Sequence, residues 1–257
     1  HFAACSLVGE SMEQPLRYFQ NNIHGMMVLL EGMVRHGVDK IVFSSTASVY
    51  GEPDAVPIPE TAPLRPTNPY GESKLAMERM MHWVGEAHGI RSVILRYFNV
   101  AGAWAQGEIG EDHRPESHLI PIILQVPLGK RPHITIFGDD YPTPDGTCIR
   151  DYLDVVELAD AHMRAVDYLR AGGASEVCNL GNGTGFSVRQ MVEAAQRVTG
   201  REIAVSIGAR RPGDPARLVA SAQRANDVLG WTARADIDSI IASAWAWHSR
   251  RPDGFEE

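Results

Sequence analysis

The chain has 257 residues, 44% apolar and 22% charged, with a formal net charge of −8. That is enough apolar material for a substantial core in one large or two modest domains, and the acidic balance excludes a surface that holds nucleic acid by counterion release. Cys5, Cys148 and Cys178 are odd in number and widely spaced, so a disulfide framework is excluded and a reducing cytoplasm is the expected compartment.

In chain order, His1-Phe2-Ala3-Ala4 reads as the end of a strand, followed by a helical pattern from about Asn21 to His36. The longest apolar stretch, Met26 to Val34, is broken by Glu31 and Gly32 and is too short to span a bilayer, which takes ~20 residues. The opening residues also lack the charged and apolar regions of a secretion signal. Lys40 to Ser45 is a short buried strand. A Pro-rich loop leads to a helix that starts near Tyr70, behind Pro69, and runs to about His88; a strand over Ser92 to Phe98 follows. Strands alternating with helices at these spacings predict a parallel α/β sheet.

Beyond Asn99 the rhythm loosens. A Gly/Pro-rich connection leads to a helix near Leu119 to Val126, a strand over Ile134 to Phe137, a helix over Val155 to Leu169 and a strand over Val177 to Leu180. Three more helices are expected, over Ser187 to Val198, Ala222 to Leu229 and Ile237 to His248. The predicted organisation is a Rossmann-like doubly wound domain over residues 1–100 and a smaller α/β lobe over residues 101–257, with some later segments returning to the first domain.

Tyr70 and Lys74 are four residues apart at the start of a helix, so their side chains leave one face about a turn apart. A close ammonium, the helix N-terminus and a cofactor cation together predict a lowered phenol pKa: moving tyrosine from near 10 to about 7 takes roughly 4 kcal/mol. Tyr70 is then a candidate general base. The strand before this helix ends in Ser44-Ser45-Thr46, at the carboxyl edge where a parallel sheet forms its ligand crevice. Tyr-x-x-x-Lys alone arises by chance in many helices; the ordered set of hydroxyl-ended strand, Pro-Tyr and Lys carries the catalytic reading.

At these residues the sequence resembles the extended short-chain dehydrogenase/reductase superfamily, and within it the UDP-glucose 4-epimerases. The likeness runs over essentially the whole chain. Its marks include Phe43 to Gly51, Asn68 to Lys74, Leu95 to Asn99, Ile136 to Tyr141, Arg150-Asp151-Tyr152, Asn179-Leu180-Gly181 and Arg210 to Asp214. The resemblance implies NAD as cofactor, UDP-glucose and UDP-galactose as substrates, and Thr46, Tyr70 and Lys74 as the chemical residues. It implies that Phe2, Ala3, Ala4, Asn21, Ser44, Tyr97 and Phe98 join Tyr70 and Lys74 around the cofactor, with Lys74 holding the nicotinamide ribose. It places Thr46, Asn99, His118, Leu119, Phe137, Arg150, Arg211, Asp214 and Leu218 at the substrate. Leu218 faces the sugar 2-position, between the bulky residues that exclude N-acetyl groups and the small ones that admit them. His118 departs from the asparagine that many members carry, and Ser6 from a cofactor-touching lysine. The resemblance also implies a homodimer built on Asn21 to His36 and Tyr70 to His88, although core packing explains their methionines equally well.

Gly181-Asn182-Gly183-Thr184-Gly185 lies between a strand and a helix, yet its third glycine comes one residue early for a phosphate loop, and a structural turn is expected. No glycine-rich loop opens the chain, which predicts that some 60 to 80 residues of a family member would precede His1. His113 and His118, near Glu111, Asp112 and Glu116, match no familiar zinc spacing, so no metal is expected. The closest rival activity, nucleotide-sugar 4,6-dehydration, needs a further acid; related dehydratases carry Asp-Glu after the threonine, where this chain has Ala47 and Ser48. From another class comes the reading of a non-catalytic nucleotide-sugar-binding chain.

Overall fold

The computed structural model describes residues 1–211 and 214–255; Pro212 and Gly213 of the Arg210 to Asp214 motif lie outside the described residues. The chain forms two compact units, one made of His1–Tyr97, Ala161–Leu180 and Ser221–Thr232, the other of Phe98–Asp160, Gly181–Ala220 and Ala233–Glu257. In chain order come α1 (Val8–Glu13), α2 (Pro15–Tyr18), a π turn (Phe19–His24), α3 (Gly25–His36), β1 (Lys40–Thr46), a 3-10 turn (Ala47–Val49), α4 (Pro69–His88) and β2 (Arg91–Tyr97). Then follow β3 (Asn99–Ala101), α5 (Leu119–Leu124), β4 (Ile134–Phe137), β5 (Ile149–Arg150), β6 (Tyr152–Asp154), α6 (Val155–Arg170), β7 (Glu176–Leu180) and β8 (Phe186–Ser187). The last elements are α7 (Val188–Thr199), β9 (Val205–Gly208), β10 (Arg217–Leu218), α8 (Gln223–Leu229) and α9 (Ile237–Arg250).

In the first unit β1, β2 and β7 form a parallel sheet in that order, with Phe43 opposite Ile94 and Ile94 opposite Val177. Strand alternation turns Ile41, Phe43 and Ile94 toward Met26, Leu30 and Met33 of α3 and Met77 and Met81 of α4, which together form one buried cluster. The alternate position, Ser44, faces the other side, where its hydroxyl meets His162 of α6. Helices therefore cover both faces, the Rossmann-like arrangement. None of the helices among the described residues is long and apolar enough to cross a membrane.

Two sequence expectations need correction here. The strand expected over His1 to Ala4 is reduced to His1, whose backbone pairs with Val42 and Ser44, while Phe2 to Ala4 are irregular. The helix expected from Asn21 begins as the π turn, which brings Asn22 rather than Asn21 inward. Asn22 bonds both Cys5 backbone groups and donates to Ser73 of α4 at 2.9 Å, pinning the opening segment to the helix that carries Tyr70.

The second unit packs α5, α7 and α9 around Ile123, Leu124, Met191, Ala195, Ile240 and Ile241. α7 opens on a capping box, Ser187 with Gln190, and closes on Gly200 at φ 65°. Its strands form small sheets: β5 between β10 and β8, β3 with β6, and β4 with β9. The Gly181 to Gly185 segment is a turn organised on Asp151, whose buried carboxylate accepts the backbone N–H groups of Asn182, Gly183 and Ala220 at 2.7, 3.1 and 3.0 Å. Those donors are spent on a side chain, as a structural turn requires.

Candidate active site

In the first unit, apolar β1 gives way to Ser44, Ser45 and Thr46 at its carboxyl end, and all three are buried. α4 starts beside them because Asn68 caps it, accepting from the Gly71 N–H at 2.8 Å, with Pro69 preset in its first turn. Gly71 permits the approach: a Cβ there would stand 2.7 Å from the Ser48 carbonyl oxygen. Tyr70 is thus buried, and the Thr46 hydroxyl is near enough to its phenol to favour the charged form. One turn on, the buried Lys74 ammonium donates to the Ser44 carbonyl at 2.8 Å and lies 4.8 Å from the centre of the Phe43 ring. That carbonyl is its single hydrogen-bond acceptor among the described residues, so two of its three N–H donors are uncommitted. The Ser44 hydroxyl lies 2.8 Å from His162 Nε2, with Tyr97 close by. The Phe2 ring, 70% exposed, sits 4.8 Å from the His162 ring.

The electrostatics correct the expected pKa of Tyr70. Burial pushes the phenol above its ordinary 10, and the neighbouring Thr46 hydroxyl only partly offsets this. Lys74 does not pull it down, because the ammonium is turned onto Ser44 and Phe43, and burial pushes Lys74 itself down to about 8. Tyr70 is therefore a neutral phenol set by the protein's own groups.

The second unit gathers Phe137, Arg150, Arg211, Asp214 and Leu218. The Arg211 guanidinium stacks 4.2 Å from the centre of the Phe137 ring, Arg150 pairs with Asp214, and Leu218 is the β10 partner of Arg150. Arg150 does not pair with its neighbour Asp151, which holds the turn described above. Asn99 lies at the start of β3, paired across the strands with Tyr152. His118 caps the start of α5 ahead of Leu119, and its ring contacts Glu111 and Glu116 rather than the arginine cluster. Ala3 and Asn21 are exposed, Ala4 and Phe98 half-buried, and Asn21 donates to Asn22.

Sequence reasoning missed the groups that hold these residues still. Glu78 receives a bidentate bond from Arg96, at 2.6 and 3.0 Å, and a bond from Ser45 at 2.5 Å; Arg96 also donates to Tyr50, which donates to Asn179. Glu78 continues the four-residue spacing of Tyr70 and Lys74, and Arg96 interrupts a buried apolar strand. Either irregularity signals a buried partner. Tyr141, part of a family mark but given no role from the sequence, has a buried hydroxyl without a partner among the described residues, near the charges of Asp214, Arg210 and Arg150.

The model of the family described as GDP-mannose 4,6 dehydratase matches residues 1–244. A UDP-glucose 4-epimerase of Streptococcus mutans is 60% identical over 258 residues, covering all of this chain and 78% of that protein. A crystal structure of a UDP-glucose 4-epimerase superposes with a TM-score of 0.98 at 55% identity, covering 100% of this chain and 78% of that one. A second, from Bifidobacterium longum in complex with NAD+ and UDP, superposes with a TM-score of 0.93 at 42% identity, covering 99% and 77%. With this identity along its whole length, the chain belongs to the UDP-glucose 4-epimerases of the extended short-chain dehydrogenase/reductase superfamily.

Proposed function

We propose that this chain interconverts UDP-glucose and UDP-galactose at C4, with NAD as its cofactor. The observation that carries the reading is the buried Tyr70 phenol beside Thr46, one helical turn from an ammonium with uncommitted donors. A buried ammonium bonded to one carbonyl is under-compensated, and a ribose diol supplies the acceptors it lacks, so the residues fit the cofactor. Lys74 would hold the ribose, and Phe2, Tyr97 and the Ser44 hydroxyl would border the nicotinamide. Bound NAD supplies the hydride acceptor and donor for C4 and a positive ring charge that favours phenolate at Tyr70.

Tyr70 takes the proton of the sugar 4-hydroxyl and returns it once the 4-keto sugar has turned its other face, and Thr46 orients that oxygen. Arg150 and Arg211 neutralise the pyrophosphate, Phe137 offers uracil a flat apolar face, and Asp214 and Asn99 serve as polar partners. Leu218 borders the sugar 2-position, and relative turnover of UDP-galactose and UDP-N-acetylgalactosamine reads its selectivity. Dehydration is disfavoured because Ala47 and Ser48 follow Thr46, and Glu78 is spent on Arg96 and Ser45.

The chain works in the cytoplasm as a homodimer through α3 and α4. Met26, Met33, Met77 and Met81 belong to the core, but Met27, Val28, Val34 and Trp83 face outward and provide an apolar surface for a second copy. Light scattering reads the assembly, with Trp83→Glu expected to shift it toward monomer. The decisive experiment measures nicotinamide absorbance and fluorescence in the purified chain together with UDP-galactose turnover. Tyr70→Phe is expected to lower kcat by about 10²–10⁴-fold with cofactor retained. Wild-type protein with bound NAD and no turnover would sink the reading.

A further inference from the structure

Glu111, His113, Glu116 and His118 come from an irregular stretch whose spacing matches no zinc motif, yet the fold gathers them. One ligand atom from each lies within 4.8 Å of all the others. The two imidazoles stack with centroids 5.0 Å apart at 27°. His113 Nδ1 is 3.9 Å from Glu116 Oε1, and His118 Nδ1 is 3.5 Å from the same oxygen and in direct contact with Glu111.

A second observation points to a ligand. His113 Nδ1 is buried from solvent and has no hydrogen-bond partner among the described residues. Leaving such an atom unsatisfied is destabilising, and a metal ion removes that cost. The surroundings are also those of a prepared site. The Ser117 and His118 N–H groups bond Glu116 at 2.7 and 2.8 Å and fix its carboxylate. The other end is anchored where the Trp247 indole donates to the Glu111 carbonyl at 2.9 Å. Glycine at position 110 fits there because it lacks a Cβ, which would stand 2.2 Å from the Trp247 ring.

We infer that Glu111, His113, Glu116 and His118 bind one divalent transition-metal ion of the zinc class, as a structural staple of the loop that leads into α5. Two imidazole nitrogens with two carboxylates suit zinc, cobalt or nickel; calcium and magnesium prefer all-oxygen sets, and copper(I) prefers thiolates. Tetrahedral ligands about 2.0–2.1 Å from a zinc ion stand roughly 3.3 Å apart, so the widest separation here, up to 4.8 Å, closes by about 1.5 Å while the His118–Glu111 contact opens. Zinc displaces any proton shared by Glu111 and His118. Four protein ligands leave no open position, which makes the site structural rather than catalytic. Its effect is to join the Trp247 anchor to the first turn of α5, where Leu119 stands.

The test uses the full chain, stripped with chelator, returned to buffer and titrated with zinc chloride by calorimetry, with metal content measured after desalting. One equivalent is expected to be retained, with a raised unfolding temperature. Cobalt is expected to give the visible bands of a tetrahedral site, and magnesium to give no effect. His113→Ala with His118→Ala is expected to weaken zinc binding at least tenfold. Glu116→Gln, which keeps the shape of the side chain, is expected to weaken it too and serves if the double variant does not fold. Less than a fifth of an equivalent retained by the wild type, or wild-type affinity in both variants, overturns the site.

Discussion

The two units keep the polar groups of their candidate sites in different ways, although the second also buries polar groups elsewhere, such as Asp151. In the first, Ser44, Ser45, Thr46, Lys74, Glu78 and Arg96 are buried, and each is held by a partner contributed from another element. In the second, Arg211 and Asp140 are exposed, and the Arg210–Asp140 pair has side chains 41% and 72% accessible. Acid–base chemistry needs groups fixed in a dry environment, where fields are strong and geometry is set before substrate arrives. Gathering a polyanion needs long cations that stay hydrated until they are used. The same residue types are therefore worth very different amounts of stability in the two units.

The sharpest way to break that contrast is to remove one carboxylate from each unit. Glu78→Ala leaves Arg96 charged, buried and without its bidentate partner, so a loss of about 3–5 kcal/mol is expected. Asp140→Ala removes an exposed partner and should change stability by less than about 1 kcal/mol. Urea unfolding of both variants measures this, and similar losses would erase the distinction.

The next effect has the opposite sign. Burial lowers Lys74 from an ordinary 10.5 to about 8, a penalty of about 3 kcal/mol that the fold carries for a functional charge. Lys74→Met is therefore expected to stabilise the chain by up to about 3 kcal/mol at pH 7 while removing activity. The pH dependence follows from proton counts. Below pH 8 lysine is protonated in both states and the penalty is full. Between pH 8 and 10.5 the unfolded chain holds a proton that the folded chain has released, so wild-type stability rises with pH through that window and approaches that of the variant. Unfolding both proteins in urea at pH 7 and pH 9.5 reads the gap, and a gap that does not narrow would show that Lys74 is adequately solvated.

This dryness also explains what could be read from the sequence. β1, α4 and α6 were legible because their apolar periods run for several turns or residues, and Tyr70, Lys74 and the hydroxyl-ended strand were legible because they are close in sequence. His162 was not: its partner Ser44 is 118 positions away, and a lone histidine in an amphipathic helix has no local signature. Asp151 was read with Arg150 as a family mark, but its role in holding the Gly181 turn depends on donors some 30 and 69 residues distant. The contribution of Lys74 to the phenol was misjudged for a related reason, since spacing along α4 fixes where Lys74 starts but not that its ammonium turns onto Ser44. β5, β8 and β10, two residues each, are too short for any period to reveal.

The smallest expected effect tests the hydrated side of the comparison. Arg211 is exposed and lies over Phe137, so it is placed to meet an anion without first being desolvated in the fold. Arg211→Ala should leave urea unfolding unchanged within about 0.5 kcal/mol, as surface substitutions do. The loss of one charge-assisted contact to a phosphate should weaken UDP binding about tenfold, or roughly 1.4 kcal/mol. That split, affinity without stability, is the reverse of the one expected for Glu78. Calorimetric titration with UDP beside the unfolding curves measures it. A variant that loses stability instead would mean that the Arg211–Phe137 stack is part of the fold and that the second unit is not the hydrated partner of the first.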